Sequence, residues 1–374
     1  MIIRIINKLY RKFLLEKIVK ESVKKEQIIE EKLVLENFDT IEMSALSDEE
    51  IAQVDKVYGT PLASYRELAF FKKYRGFDPR YLSHYAYLPI IAHKLNDYHY
   101  TKMLEHKSLQ GYVARGEMKH PYCYVRCINQ EFYSDSMHQL SLEQAIRECI
   151  KHDILIIKDS TDSAGGKSVE KLDLKDGDEF VRKIEVERVF QERKRDFVIQ
   201  ECLKQHSSMA KFNETSINTL RITTLYLNGK FSILSIILRF GKKGMKVDNW
   251  GAGGIIVGVD KDGKLHNVGY DIHLNEYKEY NGIIFSDETL TQVPSLLKAI
   301  ENEHMSCYSL SKFIGWDICF NEANEPVIIE LNSSQPGVIG EQLGTGPIFG
   351  ERTQEVMDYC NKKKFCYNKS LFQY

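Results

Sequence analysis

The sequence predicts an α+β protein in which a helical N-terminal part precedes a strand-rich region. Two observations predict this class. Up to about residue 100, apolar and aromatic residues recur at helical spacing. Beyond it, short apolar runs rich in β-branched residues alternate with turn signals such as Asn228-Gly229. A chain of 374 residues is also long enough for two or three packed subdomains.

The bulk composition excludes several classes of protein. Hydrophobic residues at 43% and charged residues at 28% are typical of a soluble globular chain. A net charge of −2 gives no field that would favour a nucleic-acid partner. No apolar run approaches the ~20 residues that span a bilayer, and the N-terminus has no secretory apolar core. The closest of the eight cysteines, Cys123 and Cys127, lack zinc-site spacing, so we expect reduced thiols and a cytoplasmic protein.

Residues 1–36 predict a basic amphipathic helix. Its apolar residues recur at helical spacing: Ile2, Ile5, Ile6, Leu9, Phe13 and Val19. Basic residues occupy much of the remaining surface: Arg4, Lys8, Arg11, Lys12, Lys17 and Lys20. Such a helix either rests on an anionic membrane face through residues 1–25 or docks its apolar stripe on its own domain. The sequence leaves both possibilities open.

Residues 37–100 predict a helical N-terminal region. Ser47 followed by Glu50 forms a capping-box pattern that opens a helix. The Tyr- and Phe-rich stretch 61–99, broken by Pro79 and Pro89, indicates a compact helical segment whose aromatic residues form core.

Residues 101–350 predict two subdomains, 101–204 and 205–350, before a C-terminal tail at 351–374. Two helices are expected, at Thr101–Arg115 and Ser141–Lys151. The predicted strands are Tyr122–Ile128, Asp153–Lys158, Phe197–Cys202, Thr219–Leu227, Phe231–Phe240, Gly254–Val259, Phe313–Phe320 and Val327–Asn332. Asn228-Gly229 and Asp262-Gly263 are hairpin turns.

The last two predicted strands carry a candidate metal site. They are joined by the polar turn 321–325, which would place Asp317 opposite Glu330 within a residue of register. Glu330 and Asn332 are two apart and therefore share a face. Three hard oxygen ligands, two of them anionic, suit magnesium with substrate phosphates. The alternative is a solvated hairpin, although such hairpins rarely place acids on otherwise apolar strands.

A candidate phosphate site lies upstream, where Lys158 ends an apolar strand and a Gly- and Ser-rich loop follows at 163–168. Backbone N–H groups of such a loop can fold over phosphates, and small residues permit close approach. A Walker A loop is excluded because it requires Gly five residues before Gly166, where Thr161 stands. The strand that ends at Glu201 before a short connector has the form of a nucleotide hinge.

The order of these parts resembles the ATP-grasp superfamily: Lys107, Lys158 with its loop, the Glu201 hinge, then Asp317 and Glu330-x-Asn332. Finer motifs look like the sugar-transfer-associated ATP-grasp group, which occurs with bacterial surface-polysaccharide genes. These motifs are Gln205-His206, Ser216-Ile-Asn218-Thr-Leu-Arg221-Ile-Thr, Leu238-Arg239, Gly253-Gly254 and Gly315-Trp316-Asp317. The resemblance covers residues 80–340 and implies an ATP-grasp fold, with two α+β subdomains gripping ATP between antiparallel sheets.

The resemblance also implies a role for each matching residue. Lys107 and Lys158 would bind the ATP phosphates, and the loop with Ser163, Gly165, Gly166 and Lys167 would close over them. Glu201 would meet the adenine amino group, with backbone hydrogen bonds from Cys202 and Leu203. Gln205 or His206 would lie near the ribose or the triphosphate, and Asn218 would contact the cofactor. Asp317, Glu330 and Asn332 would hold two Mg²⁺ ions.

The chain departs from amino-acid ligases of the superfamily at one position. Those enzymes commonly have an arginine two residues before the aspartate ligand, and here that residue is Gly315. Arg221 or Arg239 would have to supply its charge to the acyl intermediate, unless they form a structural ion pair. Together with Lys158 they are the expected catalytic residues. The loop Asp248–Gly254 is expected to border the acceptor pocket.

The resemblance implies an ADP-forming carboxylate–amine ligase that acts through an acylphosphate. Its substrates would be a small carboxylic acid and an amine, one of them sugar-linked, in surface-polysaccharide biosynthesis. The setting would be the cytoplasm, with peripheral contact at the inner membrane face. Two alternatives remain open: a kinase on the same fold that phosphorylates a hydroxyl, and a non-catalytic nucleotide-binding scaffold of a polysaccharide assembly complex.

Overall fold

The chain divides into two compact units, one of residues 1–98 and 334–374 and one of residues 99–333. Its structure is a computed structural model that describes residues 17, 20–25, 27–29, 32, 45–59, 64–113, 116–161, 168–193 and 195–363. The helices that follow from residue 45 onward are α1 Asp48–Tyr58, α2 Tyr65–Arg75, α3 His84–Ala86, α4 His93–Leu95, α5 Tyr98–Glu105, α6 Leu142–Cys149, α7 Glu179–Glu192, α8 Ser207–Ala210, α9 Val293–Cys307, α10 Ile339–Thr345 and α11 Thr353–Lys362.

The first unit is helical, as predicted. The capping box at the start of α1 is present, because the Ser47 side chain accepts from the Glu50 amide and the Glu50 carboxylate accepts from the Ser47 amide. A π-helical turn at Tyr87–Ala92 links α3 to α4. The aromatic residues of this stretch form core: Phe70, Phe71, Tyr81 and Tyr87 are buried. Most of the predicted basic helix, including residues 1–16, lies outside the described residues.

The second unit contains two antiparallel sheets and a two-stranded ribbon. The strands are β1 Cys123–Ile128, β2 Glu131–Tyr133, β3 Gln139–Leu140, β4 Ile154–Asp159, β5 Glu170–Asp173, β6 Phe197–Glu201, β7 Thr219–Leu227, β8 Lys230–Phe240, β9 Ile255–Val259, β10 Leu265–Tyr270, β11 Glu276–Tyr277, β12 Glu279–Tyr280, β13 Ile283–Ile284, β14 Phe313–Phe320 and β15 Pro326–Asn332. The smaller sheet has the order β3-β2-β1-β6-β4-β5, the larger one β11-β10-β9-β8-β7-β14-β15, and β12 pairs with β13.

Each main sheet buries its own apolar cluster. In the smaller sheet, Val125, Leu155 and Ile199 pack with Ile146 of α6 and Val186 of α7. In the larger sheet, apolar side chains such as those of Ile222 and Trp316 pack with α9. Because strands present alternate side chains to opposite faces, the other face of each sheet is available for polar side chains.

The β7–β8 hairpin turns at Asn228-Gly229, as the sequence predicts. Both residues have positive φ, 52° and 76°, which is the conformation that a type I′ turn requires. The eight predicted strands are all present within about two residues of the predicted bounds. The predicted helix Thr101–Arg115 is wrong in its second half: α5 ends at Glu105, and a short 3₁₀ turn at Lys107–Leu109 follows.

Candidate functional site

A cavity of about 330 Å³ lies in the second unit and is lined by residues of both main sheets. The smaller sheet and its flanking segments contribute Lys107, Pro121, Ile156, Lys158, Val169, Glu201, Cys202 and Leu203. The larger sheet and its loops contribute Ile217, Thr219, Arg221, Arg239, Lys246, Val247, Asp248, Asn249, Asp317, Ile329, Glu330 and Asn332. Its volume is within the range of small-molecule sites, and its polar groups converge from several strands.

The β14–β15 hairpin places the three predicted metal ligands on this cavity. Asp317 is paired with Glu330, and Gly315 with Asn332, so the predicted register is correct. The ladder is irregular after Asp317, because Ile318 pairs with Ile328 and leaves Ile329 as an extra residue on β15. This bulge lets Ile329, Glu330 and Asn332 all line the cavity, while Ile328 and Leu331 stay in the core.

Asp317 is held by two arginines from neighbouring strands. Arg221 lies directly across from it on β7, and its Nε and one Nη lie 2.5 and 2.9 Å from the two carboxylate oxygens. Arg239 on β8 approaches Asp317 less closely, at 3.4 Å. Burial raises the pKa of Asp317, but the charges of Arg221 and Arg239 outweigh burial and hold that pKa below its usual value. Asp317 is therefore an anion at neutral pH.

Arg239 also contacts Asp248, which the Thr219 hydroxyl binds as well. The Arg239 guanidinium lies 3.3 Å from one Asp248 oxygen and 3.4 Å from the other, so all its contacts with carboxylates are long. Its Nε is buried and has no hydrogen-bond partner. Arg221 thus makes a tight two-point ion pair, whereas Arg239 retains a donor that faces no protein acceptor.

The two predicted phosphate lysines meet Glu330 at the cavity. The Lys107 ammonium lies 2.8 Å from a Glu330 oxygen. Lys158 ends β4, and burial lowers its pKa, an effect that the Glu330 carboxylate partly offsets. These three residues come from the 3₁₀ turn at 107–109, from the smaller sheet and from the larger sheet, so the tertiary structure brings them together.

The predicted hinge borders the cavity. The Glu201 carboxylate accepts from the Tyr122 amide at 2.7 Å, which fixes the end of β6. Cys202 and Leu203 line the cavity directly after it. Ile156 of β4 and Ile329 of β15 come from different sheets and add apolar side chains to the same cavity.

A family comparison agrees with this arrangement. The sequence profile of the family described as sugar-transfer associated ATP-grasp matches residues 91–358, which is more than half of the chain. The chain belongs to this ATP-grasp family. Its two antiparallel sheets with flanking helices accordingly form an ATP-grasp fold of the α+β class, as the sequence predicts. No curated protein matches the chain.

Several solved structures are similar to this ATP-grasp chain at low identity. They include D-alanyl-alanine synthetase A from Vibrio cholerae O1 biovar eltor (11% identity, TM-score 0.38, covering 65% of this chain and 60% of that one). The L-amino acid ligase from Bacillus licheniformis is 13% identical, with a TM-score of 0.38 and coverage of 70% and 49%. The biotin carboxylase domain of Hydrogenobacter thermophilus 2-oxoglutarate carboxylase, in complex with MgADP, is 10% identical, with a TM-score of 0.41 and coverage of 72% and 48%. The chain thus spans 48–60% of the length of these proteins.

Part of the predicted phosphate loop of this ATP-grasp protein lies outside the described residues. Ser163, Gly165, Gly166 and Lys167 belong to that part. The loop resumes at Ser168, whose carbonyl oxygen accepts from Arg193 at 3.3 Å, and Val169 lines the cavity. The described end of the loop is therefore at the cavity.

Three predicted cofactor contacts have their side chains bound to backbone groups outside the cavity lining. The Gln205 amide donates to the carbonyl oxygens of Asn213 and Ser216 and accepts from the Asn218 amide. Asn218 is fully buried and donates to the carbonyl oxygens of Met209 and Asn213. The His206 ring caps α8 by accepting from the Ser208 amide. Within the described structure, these residues brace the segment between β6 and β7, and their contact with a cofactor stays a prediction.

The loop between β8 and β9 contributes two residues of the expected loop Asp248–Gly254 and one residue, Lys246, that motif reasoning did not single out. Lys246, Asp248 and Asn249 line the cavity. The loop packs closely against the residue that precedes β9, since a Cβ added at Gly254 would stand only 2.6 Å from the Asp248 carbonyl oxygen. Only glycine fits that approach, so the Gly253-Gly254 motif was the available sequence signal for this loop.

The chemistry of the late strands fits magnesium. Asp317, Glu330 and Asn332 offer hard oxygen donors on one cavity wall. The described residues contain no group of three or more His, Cys, Asp or Glu that would hold a metal ion without further ligands. Since Mg²⁺ usually takes one or two carboxylates plus phosphate oxygens, this ligand set matches an ion that arrives with a nucleotide.

Proposed function

We propose that the chain is an ATP-dependent carboxylate–amine ligase that forms ADP and phosphate through an acylphosphate. The observation that carries this proposal is the meeting of two lysines with Asp317, Glu330 and Asn332 in a single cavity. The same cavity is lined by apolar side chains, among them those of Ile156, Leu203 and Ile329, and by the charged groups just named. An adenine ring requires the first environment and a triphosphate with its metal requires the second.

The nucleotide is placed by residues of both sheets. Ile156 and Ile329 would pack against the adenine ring, and the backbone of Cys202 and Leu203 would meet its polar edge. The phosphates lie against Lys107 and Lys158. Because Lys107 is paired with Glu330, phosphate binding would offer its ammonium a second anionic partner and release the carboxylate for a metal ion.

Asp317, Glu330 and Asn332 would hold magnesium. When bound, magnesium neutralises phosphate charge and so favours attack by an anionic nucleophile. The protein residues around the ligands have separate tasks. Arg221 fixes the orientation and charge of Asp317 through its two-point contact. Arg239, with its buried and unpartnered Nε, meets the reacting carboxylate.

The chemistry has two steps. In the first step, an oxygen of the substrate carboxylate attacks the γ-phosphorus of ATP, the bond to the bridging oxygen breaks, and ADP leaves. Lys158 and Arg239 stabilise the charge on the transferring group. In the second step, a neutral amine attacks the acyl carbon and phosphate leaves with the bonding electron pair. The amine loses a proton and an amide remains.

The test is to incubate the protein with MgATP and panels of carboxylates and amines, and to measure ADP, free phosphate and amide. A ligase gives all three in equal amounts. ADP with a phosphorylated acceptor and no free phosphate would contradict the ligase and identify a kinase. Nucleotide binding without turnover, unchanged by Glu330→Gln, would instead identify a scaffold.

We also propose a setting in surface-polysaccharide biosynthesis, in which the acid or the amine is linked to a sugar. The family description supports this setting. The proposed location is the cytoplasm, with residues 1–25 contacting an anionic inner membrane face. Within the described ranges, no helix is both long enough and apolar enough to cross a bilayer. Co-sedimentation with anionic vesicles, compared between the full chain and a chain lacking residues 1–25, tests the membrane contact.

The proposed functional division is 101–204 for the nucleotide-gripping half and 205–350 for the metal-binding half. Its support is that the smaller sheet lies wholly before residue 204, whereas the larger sheet begins at Thr219.

A further inference from the structure

Lys246 differs from most other cationic residues of the cavity because it has no anionic protein partner. Lys107 is paired with Glu330, Arg221 with Asp317, and Arg239 with Asp248 and Asp317. Lys246 also lines the cavity, yet within the described part of the chain it makes no ion pair or hydrogen bond through its side chain. Its charge is therefore available to a ligand.

Lys246 lies in the loop that follows β8, and β8 is three strands away from β15 in the larger sheet. The larger sheet runs in the order β15, β14, β7, β8, and the loop with Lys246 follows β8. Neighbouring strands are ~4.8 Å apart, so about 14 Å of sheet separates β15 with Glu330 from β8 with Arg239. A triphosphate bound at Lys107 and Lys158 would leave the part of the cavity beside this loop for the second substrate.

The loop that carries Lys246 is fixed on both sides. The Met245 carbonyl oxygen accepts from the Thr215 hydroxyl at 2.8 Å and from Asn213 at 3.3 Å. A Cβ at Gly241 would stand 2.5 Å from the Val247 carbonyl oxygen, so the loop packs closely against the end of β8. The residues on either side of Lys246 are thus held in place, and its ammonium is presented to the cavity from a defined backbone position.

We propose that Lys246 determines specificity by binding a second anionic group of the acid substrate, a carboxylate or a phosphate separate from the reacting carboxylate. The inference rests on the proposed ligase function and names the class of its acid: a molecule with two anionic groups. Arg239 and Lys246 provide two cationic positions for the two groups. A carboxylate and a phosphate share the chemistry that Lys246 recognises, and the probes below separate them.

The experiment measures binding of paired probes by calorimetry in the presence of saturating magnesium and the β,γ-imido analogue of ATP. Succinate is compared with butyrate, and 3-phosphoglycerate with glycerate. We expect at least one dianion to bind the wild-type chain about tenfold more tightly than its monoanionic partner, as loss of a charged hydrogen bond costs roughly this factor. The pair that shows the difference identifies the second group.

Variants then assign the difference to Lys246. Lys246→Gln should abolish the preference for the dianion, and Lys246→Arg should retain it. Lys243→Gln is the matched control, because Lys243 is an exposed lysine of the same loop outside the cavity lining. Binding of the ATP analogue itself should be the same in all four proteins.

Three results would overturn the inference. If the wild-type chain binds each dianion no more tightly than its monoanionic partner, or binds neither of them, then the site does not bind a second anionic group. Equal loss in the Lys246→Gln and Lys243→Gln variants means a general effect of surface charge. Weaker binding of the ATP analogue by Lys246→Gln alone assigns the residue to the triphosphate. If the wild-type chain does not bind the analogue at all, it is the proposed function that fails, and this inference fails with it.

Discussion

Replacing Arg221 with Met removes the tighter of the two arginine contacts to Asp317. Both members of the pair are nearly inaccessible, at 10% and 5% side-chain exposure, and they share two hydrogen bonds. Removing one partner of a buried ion pair costs about 3–5 kcal/mol, because the remaining charge stays buried. Arg239 still lies 3.4 Å from Asp317. We therefore expect the lower end of the range, a loss of about 3 kcal/mol in the free energy of unfolding.

Replacing Arg239 with Met should cost less stability. Its contacts are 3.3–3.4 Å long, and both carboxylates that it touches keep another partner, Arg221 for Asp317 and the Thr219 hydroxyl for Asp248. We expect about 1 kcal/mol. Arg188→Met is the control, because Arg188 is 38% exposed and pairs with Glu170 and Glu192, which are 34% and 62% exposed, so its loss should cost less than about 1 kcal/mol.

The assay is urea unfolding followed by circular dichroism at neutral pH, with midpoints compared at an unchanged slope. The expected order of destabilisation is Arg221→Met, then Arg239→Met, then Arg188→Met. If Arg239→Met is as destabilising as Arg221→Met, then the distinction between a positioning arginine and a substrate-binding arginine is unfounded. If Arg221→Met resembles the surface control, then the two-point pair does not hold Asp317.

Three further predictions follow from the site and the core. Glu330→Gln should abolish turnover and weaken Mn²⁺ binding in the presence of nucleotide, measured by electron paramagnetic resonance. It should also lower the unfolding midpoint, because the Lys107 ammonium is only 9% exposed and loses its anionic partner; normal Mn²⁺ affinity would contradict the metal role. Lys158→Met should lower the affinity for the ATP analogue about tenfold or more without loss of stability, since burial already disfavours the charged lysine; a chain that loses stability but keeps its affinity would show a structural lysine instead. Burial lowers the pKa of His304 to about 4 from its usual 6.5, so the unfolded chain binds a proton at this residue before the folded chain does. The stability that neutral His304 contributes is therefore present above pH 6.5 and is lost as the pH falls towards 4. At about 1.4 kcal/mol per pKa unit, this loss of unfolding free energy is roughly 3 kcal/mol. When the pH is lowered from 7 to 4, the urea midpoint of a His304→Asn variant should therefore fall less than that of the wild-type chain. An equal fall in both proteins would contradict the role of His304.

The pairing of β14 with β15 could be predicted from the sequence. The pairing of Asp317 with Glu330 follows from two apolar runs and one tight polar turn, because a short turn leaves the strands almost no freedom of register. The ATP-grasp family could also be inferred from the sequence, because Lys158, Glu201 and Asp317 follow one another in the order that the resemblance implies. The family match to residues 91–358 confirms that inference.

For other residues the sequence indicated a polar side chain in a family motif, but their hydrogen-bond partners depend on the tertiary structure. Gln205 and Asn218 have polar side chains within a recognisable motif, yet their amides are bound to backbone groups between β6 and β7. A motif records which residues are required and not which atoms they contact. Conversely, Lys246 belongs to no motif, and its place on the cavity follows from the packing of its loop against the end of β8.

The sequence by itself determined the fold class, the strands and the pairing of the three side chains proposed as metal ligands, because these depend on alternation and turn chemistry over a few neighbouring residues. The tertiary structure decided three things. It placed Lys107 beside Glu330, although 223 positions of the chain separate them. It formed a bulge at Ile329, which lets Glu330 and Asn332 face the cavity. It also brought Arg221 closer to Asp317 than Arg239. Each of these depends on the distance between strands that are remote in sequence, which local patterns do not encode.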